Sequence, residues 1–319
     1  MTNKKVVKLP VEDVHNNVKS FIPLGILEGK RPGPTLAVIG GVHATEYAAQ
    51  DGVTRFWESL DPDEISGRVL AVLAADVTAM CAHHMYTNPV DGKNLNRVYP
   101  GKKDGTLTEV IAYTLMEEVV AKADAVIDCH GGEFDEYMAF YLITCTKGDP
   151  ALDKKTLDMA TALGVPFIEV LDAHGTWLGR GTSQAEAVIS GRPGMAIEAG
   201  ERGERDERAI AATFNALQNA LKHLGMKPGQ PVPWAGKPVR LESGLILKST
   251  VAGLFERQVM VGDWIEKDAL FARVCDFDGT LLEEIRAPEA GTVLTVIAAR
   301  AIKAEGFAGK IGVVGPMNK

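Results

Sequence analysis

The sequence predicts an α/β protein with a mixed, largely parallel sheet flanked by helices, followed by a smaller region built only of β-strands. From Thr35 onward, short β-branched runs alternate with longer segments of helical period, which is typical of an α/β domain. The segment from Met226 to Pro238 then holds four prolines and two glycines, which neither a helix nor a central strand accepts. Beyond it, helix signals largely disappear. We therefore expect the chain to divide into residues 1–232 and residues 233–319.

Length and composition are those of a soluble globular protein with two domains. The chain of 319 residues exceeds the usual size of one hydrophobic core, and 46% hydrophobic residues supply ample apolar material. The net charge of -8 comes from 42 acidic and 34 scattered basic residues, which argues against a nucleic-acid partner. No apolar run is long enough to span a membrane, and no signal peptide is readable at the amino terminus. The four cysteines form no CxxC pair, so we expect reduced thiols and a cytoplasmic location.

Hydrophobic periodicity places the elements of both regions. The strands expected in the first region are Leu36–Ile39, Arg68–Ala74, Ala125–Cys129, Ala139–Thr144, Phe167–Leu171 and Met195–Glu198. The expected helices are Glu46–Leu60, Leu107–Lys122, Leu152–Leu163 and Arg205–Leu224. In the second region, Gly and Asp turns separate strand-like runs at Gly244–Leu247, Gln258–Val261, Leu270–Val274 and Gly291–Ile297.

The second region contains two stretches that share a loose plan of Gly turn, strand, polar step and Gly turn. They begin at Ser243 and at Arg286, and together they look like the two halves of a barrel-sandwich hybrid. A carrier domain of that shape needs a modifiable lysine between the halves, where this chain reads CDFDGT. We therefore expect a structural or substrate-covering module.

The first candidate site lies in VIGGVHATE, where a hydrophobic strand ends at two glycines and is followed by His43 and Glu46. A spacing of three brings the imidazole and the carboxylate to one side of the first helical turn, where both can bind one cation. Most isolated HxxE pairs are solvated surface residues, and the strand and glycine context is what favours a metal site here.

A second strand ends in the same way at DCHGG and supplies His130 as the third ligand that a catalytic zinc requires. Asp128 lies on the same face of that strand, so we expect it to support the ligands, while Cys129 points into the core. The alternative is a strand-end histidine that only forms a hydrogen bond.

A third strand runs into a carboxylate at GMAIEAGERG, and Glu198 is the candidate general base. Glu198 ends an apolar strand, where a carboxylate is costly to bury without a purpose. Its rival Glu201 precedes a charged run that is typical of a solvated helix start.

Two loops hold further candidates for substrate binding. The turn-rich loop from Asn88 to Gly101 contains Asn96 and Arg97, and the fork of an arginine suits a substrate carboxylate. A purely structural turn is an equal alternative for that loop. The glycine-punctuated stretch AHGTWLGRGTSQAEA contains His174, Trp177 and Arg180, in a loop that either covers substrate or is simply a surface loop.

In this order, the motifs GGVHATE, NLNR, DCHGG and IEAGERG resemble the succinylglutamate desuccinylase and aspartoacylase family, a branch of the zinc carboxypeptidase fold. The resemblance covers nearly the whole chain, including the trailing β region. It implies one zinc ion per chain, held by His43, Glu46 and His130. It implies Glu198 as the catalytic glutamate. It also implies that Asn96 and Arg97 bind the substrate carboxylate.

Two departures from the family pattern bear on the substrate. Met85 stands where the family often has an arginine that polarises the scissile carbonyl, and His84 and Arg180 are the candidates to replace it. Aspartoacylase-like members use a tyrosine from the C-terminal domain, whereas the last tyrosine here is Tyr141. Members without the acidic-substrate signature include deacetylases of acetylated diamino acids, and we prefer that substrate type.

The expected reaction is zinc-dependent hydrolysis of the linear amide of a small N-acyl amino acid. A zinc carboxypeptidase acting on peptides is the nearest alternative, and a non-catalytic metal-binding or sensor protein is another. No nucleic-acid or membrane partner is expected, and the sequence leaves homo-oligomerisation open.

Overall fold

The computed structural model describes residues 3–175 and 179–315, so Trp177 lies outside the described residues. Up to residue 223, strands and helices alternate. The strands are β1 (Lys4–Asp13), β2 (Val18–Glu28), β3 (Arg31–Gly40), β4 (Ser66–Val72), β5 (Ala125–His130), β6 (Glu136–Met138), β7 (Tyr141–Thr146), β8 (Phe167–Asp172) and β9 (Gly194–Glu198). The helices are α1 (Tyr47–Ser59), α2 (Val77–Ala82), α3 (Leu107–Glu118), α4 (Pro150–Ala162), α5 (Ser183–Ile189) and α6 (Glu207–His223), with short 3-10 turns at Leu95–Arg97 and Val120–Lys122.

The chain folds around one large mixed sheet, in the order β1-β2-β4-β3-β5-β9-β7-β8 through this region. The central strands β4, β3, β5 and β9 are parallel to one another, whereas β1, β2 and β7 run antiparallel to a neighbour. The register pairs Gly40 with Cys129 and His130 with Glu198. Consequently β3, β5 and β9 end at the same edge of the sheet, which is where open α/β sheets place their ligands.

Apolar side chains cover both faces of this sheet, as expected for buried parallel strands. One core packs α1, α4 and α6 against the sheet around Phe56, Leu163 and Leu217. The other packs α3 against the opposite face around Ile39 and Leu115. The predicted mixed α/β class is confirmed.

From residue 239 to residue 315 every regular element is a strand. These strands are β10 (Val239–Lys248), β11 (Gly253–Arg257), β12 (Trp264–Ile265), β13 (Leu270–Cys275), β14 (Leu281–Arg286), β15 (Gly291–Ile297), β16 (Ala301–Ile302) and β17 (Phe307–Val314). β10 pairs with β8, so the large sheet continues through β10, β17, β15 and β12, while β14, β13, β11 and β16 form a second sheet. These strands enclose an apolar core of their own around Phe271 and Ile311.

Most predicted elements lie within two residues of their observed bounds, and the differences have local causes. Gln258–Val261 forms no strand, because Met260 N–H donates to Asp263 Oδ2 and turns the chain toward Gly262. The helix predicted to reach Lys122 ends at Glu118, where Val119 leaves helical geometry. Elements without a counterpart in the prediction are the strands β1, β2, β6, β11, β12, β14, β16 and β17 and the short helices α2 and α5. The strands β3 and β10 begin five residues before the predicted starts at Leu36 and Gly244. No helix of the described chain has both the length and the apolar character needed to cross a membrane.

Candidate metal centre and active-site cavity

His43, Glu46 and His130 meet at the edge where β3 and β5 end. After β3 the chain turns at Gly41, whose φ of +73° and whose backbone contact with Ala74 favour glycine. His43 follows in the turn, and Glu46 is the residue that caps α1. The Glu46 side chain makes no capping hydrogen bond and is turned toward the two histidines instead. His130 is the last residue of β5.

The three side chains converge through specific atoms. Nδ1 of His43 lies 2.7 Å from Oε1 of Glu46, and Nδ1 of His130 lies 2.9 Å from Oε2 of the same carboxylate. One ligand atom from each residue lies within 4.8 Å of the others, a separation at which all three can bind one metal ion. Two imidazoles and a carboxylate match the three protein ligands of a catalytic zinc, which leaves a further position for water or substrate.

Each imidazole is held through its other nitrogen. Nε2 of His43 lies 3.1 Å from Asn94 Oδ1, and Nε2 of His130 lies 3.2 Å from Asp128 Oδ2. Asn94 Oδ1 accepts a hydrogen bond from His43, and the Asp128 carboxylate lies beside Nε2 of His130 without completing a hydrogen bond to it. A proton on Nε2 of each neutral ring suits both acceptors and leaves the Nδ1 lone pair for a metal. The Ser183 hydroxyl donates to Asp128 Oδ2 and fixes that carboxylate. This second layer supports the fit of the three residues to a metal ion.

The ionisation of Glu46 also suits a ligand. Burial raises the pKa of this carboxyl, but the adjacent His43 and His130 overcome that effect and bring the pKa down to about 2. Glu46 is therefore an anion at every physiological pH.

Glu198 lies beside the three residues, at the end of β9 and opposite His130 in the register. Burial raises the pKa of its carboxyl to about 8, with His130 opposing the shift and Glu46 adding to it. Its sequence rival Glu201 is half-buried and faces a separate groove beside α6. Of the two glutamates, Glu198 is the one at the candidate metal centre.

A cavity of about 480 Å³ opens over this group of residues. Asn96 and Arg97 line it, as the sequence predicts for substrate binders, and Oδ1 of Asn96 is buried with no partner in the described chain. Burial lowers the pKa of the Arg97 guanidinium, and the charge of Glu198 opposes that shift. The opposite wall comes from the C-terminal strands and carries the side chains of Ile246, Thr295, Ile297, Ile302, Phe307 and Lys310.

Residues 32–224 match the family model for the succinylglutamate desuccinylase/aspartoacylase catalytic domain. This chain belongs to that family. It is 28% identical over 306 residues to the N-alpha-acetyl-L-2,4-diaminobutyric acid deacetylase of Halomonas elongata, a match that covers 92% of this chain and 85% of the relative.

Solved structures agree with the family assignment. The product-bound ectoine utilization protein of Ruegeria pomeroyi superposes with a TM-score of 0.86 at 26% identity, covering 97% of this chain and 94% of that one. A succinylglutamate desuccinylase/aspartoacylase of Rhodobacter sphaeroides gives a TM-score of 0.87 at 22% identity, covering 98% and 95%. At that identity the second match shows the fold alone.

Other residues singled out in the sequence lie away from the cavity of this desuccinylase/aspartoacylase family member. Arg180 and His174 are exposed and do not line it. His84 is exposed as well, and its Nδ1 lies 2.8 Å from the carbonyl oxygen of Thr87. Neither His84 nor Arg180 therefore occupies the place left by Met85. The neighbouring Tyr86 lines the cavity instead, with its ring centroid 6.2 Å from that of His43.

Tyr86 and Lys310 are cavity residues that the sequence analysis missed. Tyr86 has a φ of +56°, a costly conformation for a bulky residue, and its hydroxyl donates to Asp135 Oδ1 at 2.7 Å. Lys310 reaches the cavity from β17 and pairs with Glu169 of β8. The available signal for Tyr86 was its position next to Met85, whereas no local pattern marks Lys310.

Proposed function

We propose that this protein is a zinc-dependent amidohydrolase that removes the acyl group from a small N-acylated amino acid, with an acetylated diamino acid as the preferred substrate. One observation carries the proposal: His43, Glu46 and His130 form a candidate metal centre with Glu198 beside it, and all four line one cavity. The curated relative from Halomonas elongata supports the choice of substrate.

His43, Glu46 and His130 would hold the zinc ion. When bound, zinc polarises a carbonyl oxygen as a Lewis acid and makes water more acidic. Asn94 and Asp128 keep the two imidazoles in the tautomer and orientation that this role needs.

Glu198 would move the proton. As a carboxylate it accepts a proton from the attacking water, and it then donates that proton to the amide nitrogen as the carbon–nitrogen bond breaks. The products are the free carboxylic acid and the free amine. Arg97 and Asn96 would bind the carboxylate of the amino-acid half and so orient the amide toward Glu198.

We further propose that residues 1–232 form the catalytic domain and that residues 233–319 form a barrel-sandwich-hybrid-like domain that covers the substrate. Two observations support the covering role. The far wall of the cavity consists of C-terminal side chains such as Ile246, Ile302 and Phe307, and β6 pairs with β15 between the two regions. Such a wall favours a small substrate over a peptide. A cytoplasmic location remains a prediction from the sequence.

Metal analysis combined with a substrate screen tests the proposal. Protein purified without chelators should hold about one zinc per chain and release amine from N-acetyl amino acids, with N-succinyl amino acids and short peptides tested in parallel. Glu198→Gln should abolish turnover and leave the zinc content unchanged, because Glu198 acts on the proton rather than on the metal. Glu201→Gln is the matched control and should keep wild-type activity.

Loss of zinc from Glu198→Gln would contradict the assignment of Glu198 as a proton carrier. Release of C-terminal residues from peptides, with no cleavage of N-acetyl amino acids, would instead favour a carboxypeptidase. Substoichiometric zinc and no hydrolysis of any compound would favour a non-catalytic protein.

A further inference from the structure

Part of the cavity lining is acidic. Asp135, Glu136 and Tyr86 are among its lining residues, and Glu133 is joined to them through the Tyr86 N–H, which donates to its carboxylate. We call these four residues the acidic wall. The wall is a fixed structure: the Tyr86 hydroxyl donates to Asp135 at 2.7 Å, the Tyr86 N–H donates to Glu133 Oε1 at 2.9 Å, and Glu136 begins the strand that pairs with β15.

The carboxylate of Glu133 has an unsatisfied oxygen. Glu133 is fully buried, and its Oε2 has no hydrogen-bond partner in the described chain. The charges of Glu46, His43 and Glu136 all act on this carboxyl, so it lies near both the candidate metal centre and the acidic wall. A buried carboxylate oxygen without a donor is costly unless a ligand or water supplies one.

No basic side chain of residues 3–175 and 179–315 forms an ion pair with Glu133, Asp135 or Glu136. Lys310 lines the same cavity but lies 2.5 Å from Glu169 Oε2, and Arg97 lies near Glu198. Burial, with a smaller contribution from the charge of Glu46, raises the pKa of Glu133 to about 8 and that of Glu136 to about 7, so a cation bound nearby would favour the ionised form of both carboxyls. The acidic wall therefore favours a cation from outside the chain.

We propose that the acidic wall binds an ammonium group on the side chain of the substrate's amino-acid half, and that Asp135 and Glu136 set the preference for cationic over neutral substrates. This inference rests on the proposed deacylase function and names the residues behind its substrate choice. With Arg97 binding the α-carboxylate at one place and the acidic wall binding the ammonium at another, a diamino acid is held at two points and its acylated nitrogen is oriented by both. The Tyr86 hydroxyl oxygen, whose proton is donated to Asp135, adds an uncharged acceptor beside that carboxylate.

A matched pair of substrates isolates the charge. Nα-acetyl-L-2,4-diaminobutyrate and N-acetyl-L-norvaline have side chains of the same length, and only the first ends in an ammonium group. The zinc-loaded wild-type enzyme should have a kcat/KM at least about tenfold higher for the cationic substrate, since a charged partner in a cavity is worth about 1.4 kcal/mol or more. Asp135→Asn and Glu136→Gln should each lower that kcat/KM about tenfold to a hundredfold and leave the norvaline value within about threefold of wild type.

A binding measurement keeps the test independent of turnover. Calorimetric titration of zinc-loaded protein with L-2,4-diaminobutyrate and with L-norvaline should show the same preference and the same loss in both variants. Asp278→Asn removes a carboxylate from a distant exposed hairpin and serves as the control, with both constants unchanged. Zinc affinity is measured for every variant, and circular dichroism identifies any variant that fails to fold, in which case the other variant decides.

The outcomes separate the two levels of inference. Equal turnover and equal binding of the cationic and neutral ligands by wild-type protein would overturn the ammonium site and leave the deacylase intact. A drop in zinc affinity in both variants, with unchanged ligand preference, would mean that the acidic wall serves the metal, and would also overturn the proposal. Absence of hydrolysis with preferential diaminobutyrate binding would refute the enzyme and retain the site.

Discussion

The buried ion pair between Lys310 and Glu169 gives the sharpest prediction about stability. The side chains are 4% and 1% exposed, and Lys310 Nζ lies 2.5 Å from Glu169 Oε2. The pair joins β17 to β8 across 141 residues of sequence. It also lies against Gly244, where an added Cβ would approach Lys310 Cε to 2.1 Å and Glu169 Oε1 to 2.3 Å. Nothing larger than glycine fits there without displacing the pair.

Removing one partner leaves the other charge buried. Lys310→Met should therefore lower the free energy of unfolding by about 3–5 kcal/mol, and Glu169→Leu by a similar amount. The double substitution removes both charges and fills the space with apolar atoms, so it should be far less destabilising than the sum of the two single changes. The expected coupling free energy is several kcal/mol.

Equilibrium urea unfolding, followed by tryptophan fluorescence in one fixed metal state, measures all four proteins. The matched control is the pair Lys154–Asp158, which has the same 2.5 Å separation on the surface of α4 with side chains 75% and 53% exposed. Lys154→Met should change the free energy of unfolding by no more than about 0.5 kcal/mol. Single substitutions at Lys310 or Glu169 that cost less than about 1 kcal/mol, or a double substitution that costs the full sum, would refute this reasoning.

Two further predictions concern the candidate metal centre. Burial raises the pKa of Glu198 and of Glu133 from the ordinary 4.5 to about 8. Between these two pH values both carboxyls are protonated in the folded chain and ionised in the unfolded chain. Metal-free protein should therefore lose stability as the pH rises from 5 to 8, with Tm falling on the order of 5–10 °C. If Tm of the zinc-loaded protein fell equally over the same pH range, the loss could not be assigned to these two carboxyls. Asp128→Asn and Asn94→Ala each replace an acceptor that lies beside a ligand imidazole, and each should weaken zinc binding about tenfold to a hundredfold. A competition titration with a chromogenic chelator measures the affinity. An unchanged affinity would mean that these side chains do not orient the ligands.

The convergence of the candidate metal-centre residues could be predicted from the sequence because strand ends are local features. A hydrophobic run that stops at two glycines indicates both a strand and the edge at which its polar residues emerge, and His43 and His130 share that context. Parallel strands then bring the two histidines together without any further information. Glu198 likewise ends an apolar strand, β9, although only the single Gly200 follows it, and this position is why it could be preferred over Glu201.

The acidic wall and the far wall of the cavity could not be predicted in this way, because their positions depend on pairing between distant segments. β6 has only three residues and exists because it pairs with β15, some 160 positions further along the chain. Lys310 alternates with small and apolar residues on β17, and its sequence neighbourhood gives no sign that it lines a cavity. The strands β1 and β2 were missed for a related reason: lysines and a proline interrupt β1, and its partner is what makes it a strand.

The candidate metal centre and the walls of the cavity are built by different elements of the fold. The candidate metal centre is built by β3, β5 and β9, whose positions are fixed by the core of the large sheet. The walls that a substrate would touch are built by the turn around Asp135, the loop around Tyr86 and the C-terminal strands. His130 and Glu198 lie on β5 and β9, and neither of these strands carries a residue of the acidic wall or of the far wall. The walls can therefore change charge or shape while the geometry of the candidate metal centre stays the same. A charge reversal at Asp135 should accordingly redirect substrate preference toward anionic side chains and leave zinc binding intact.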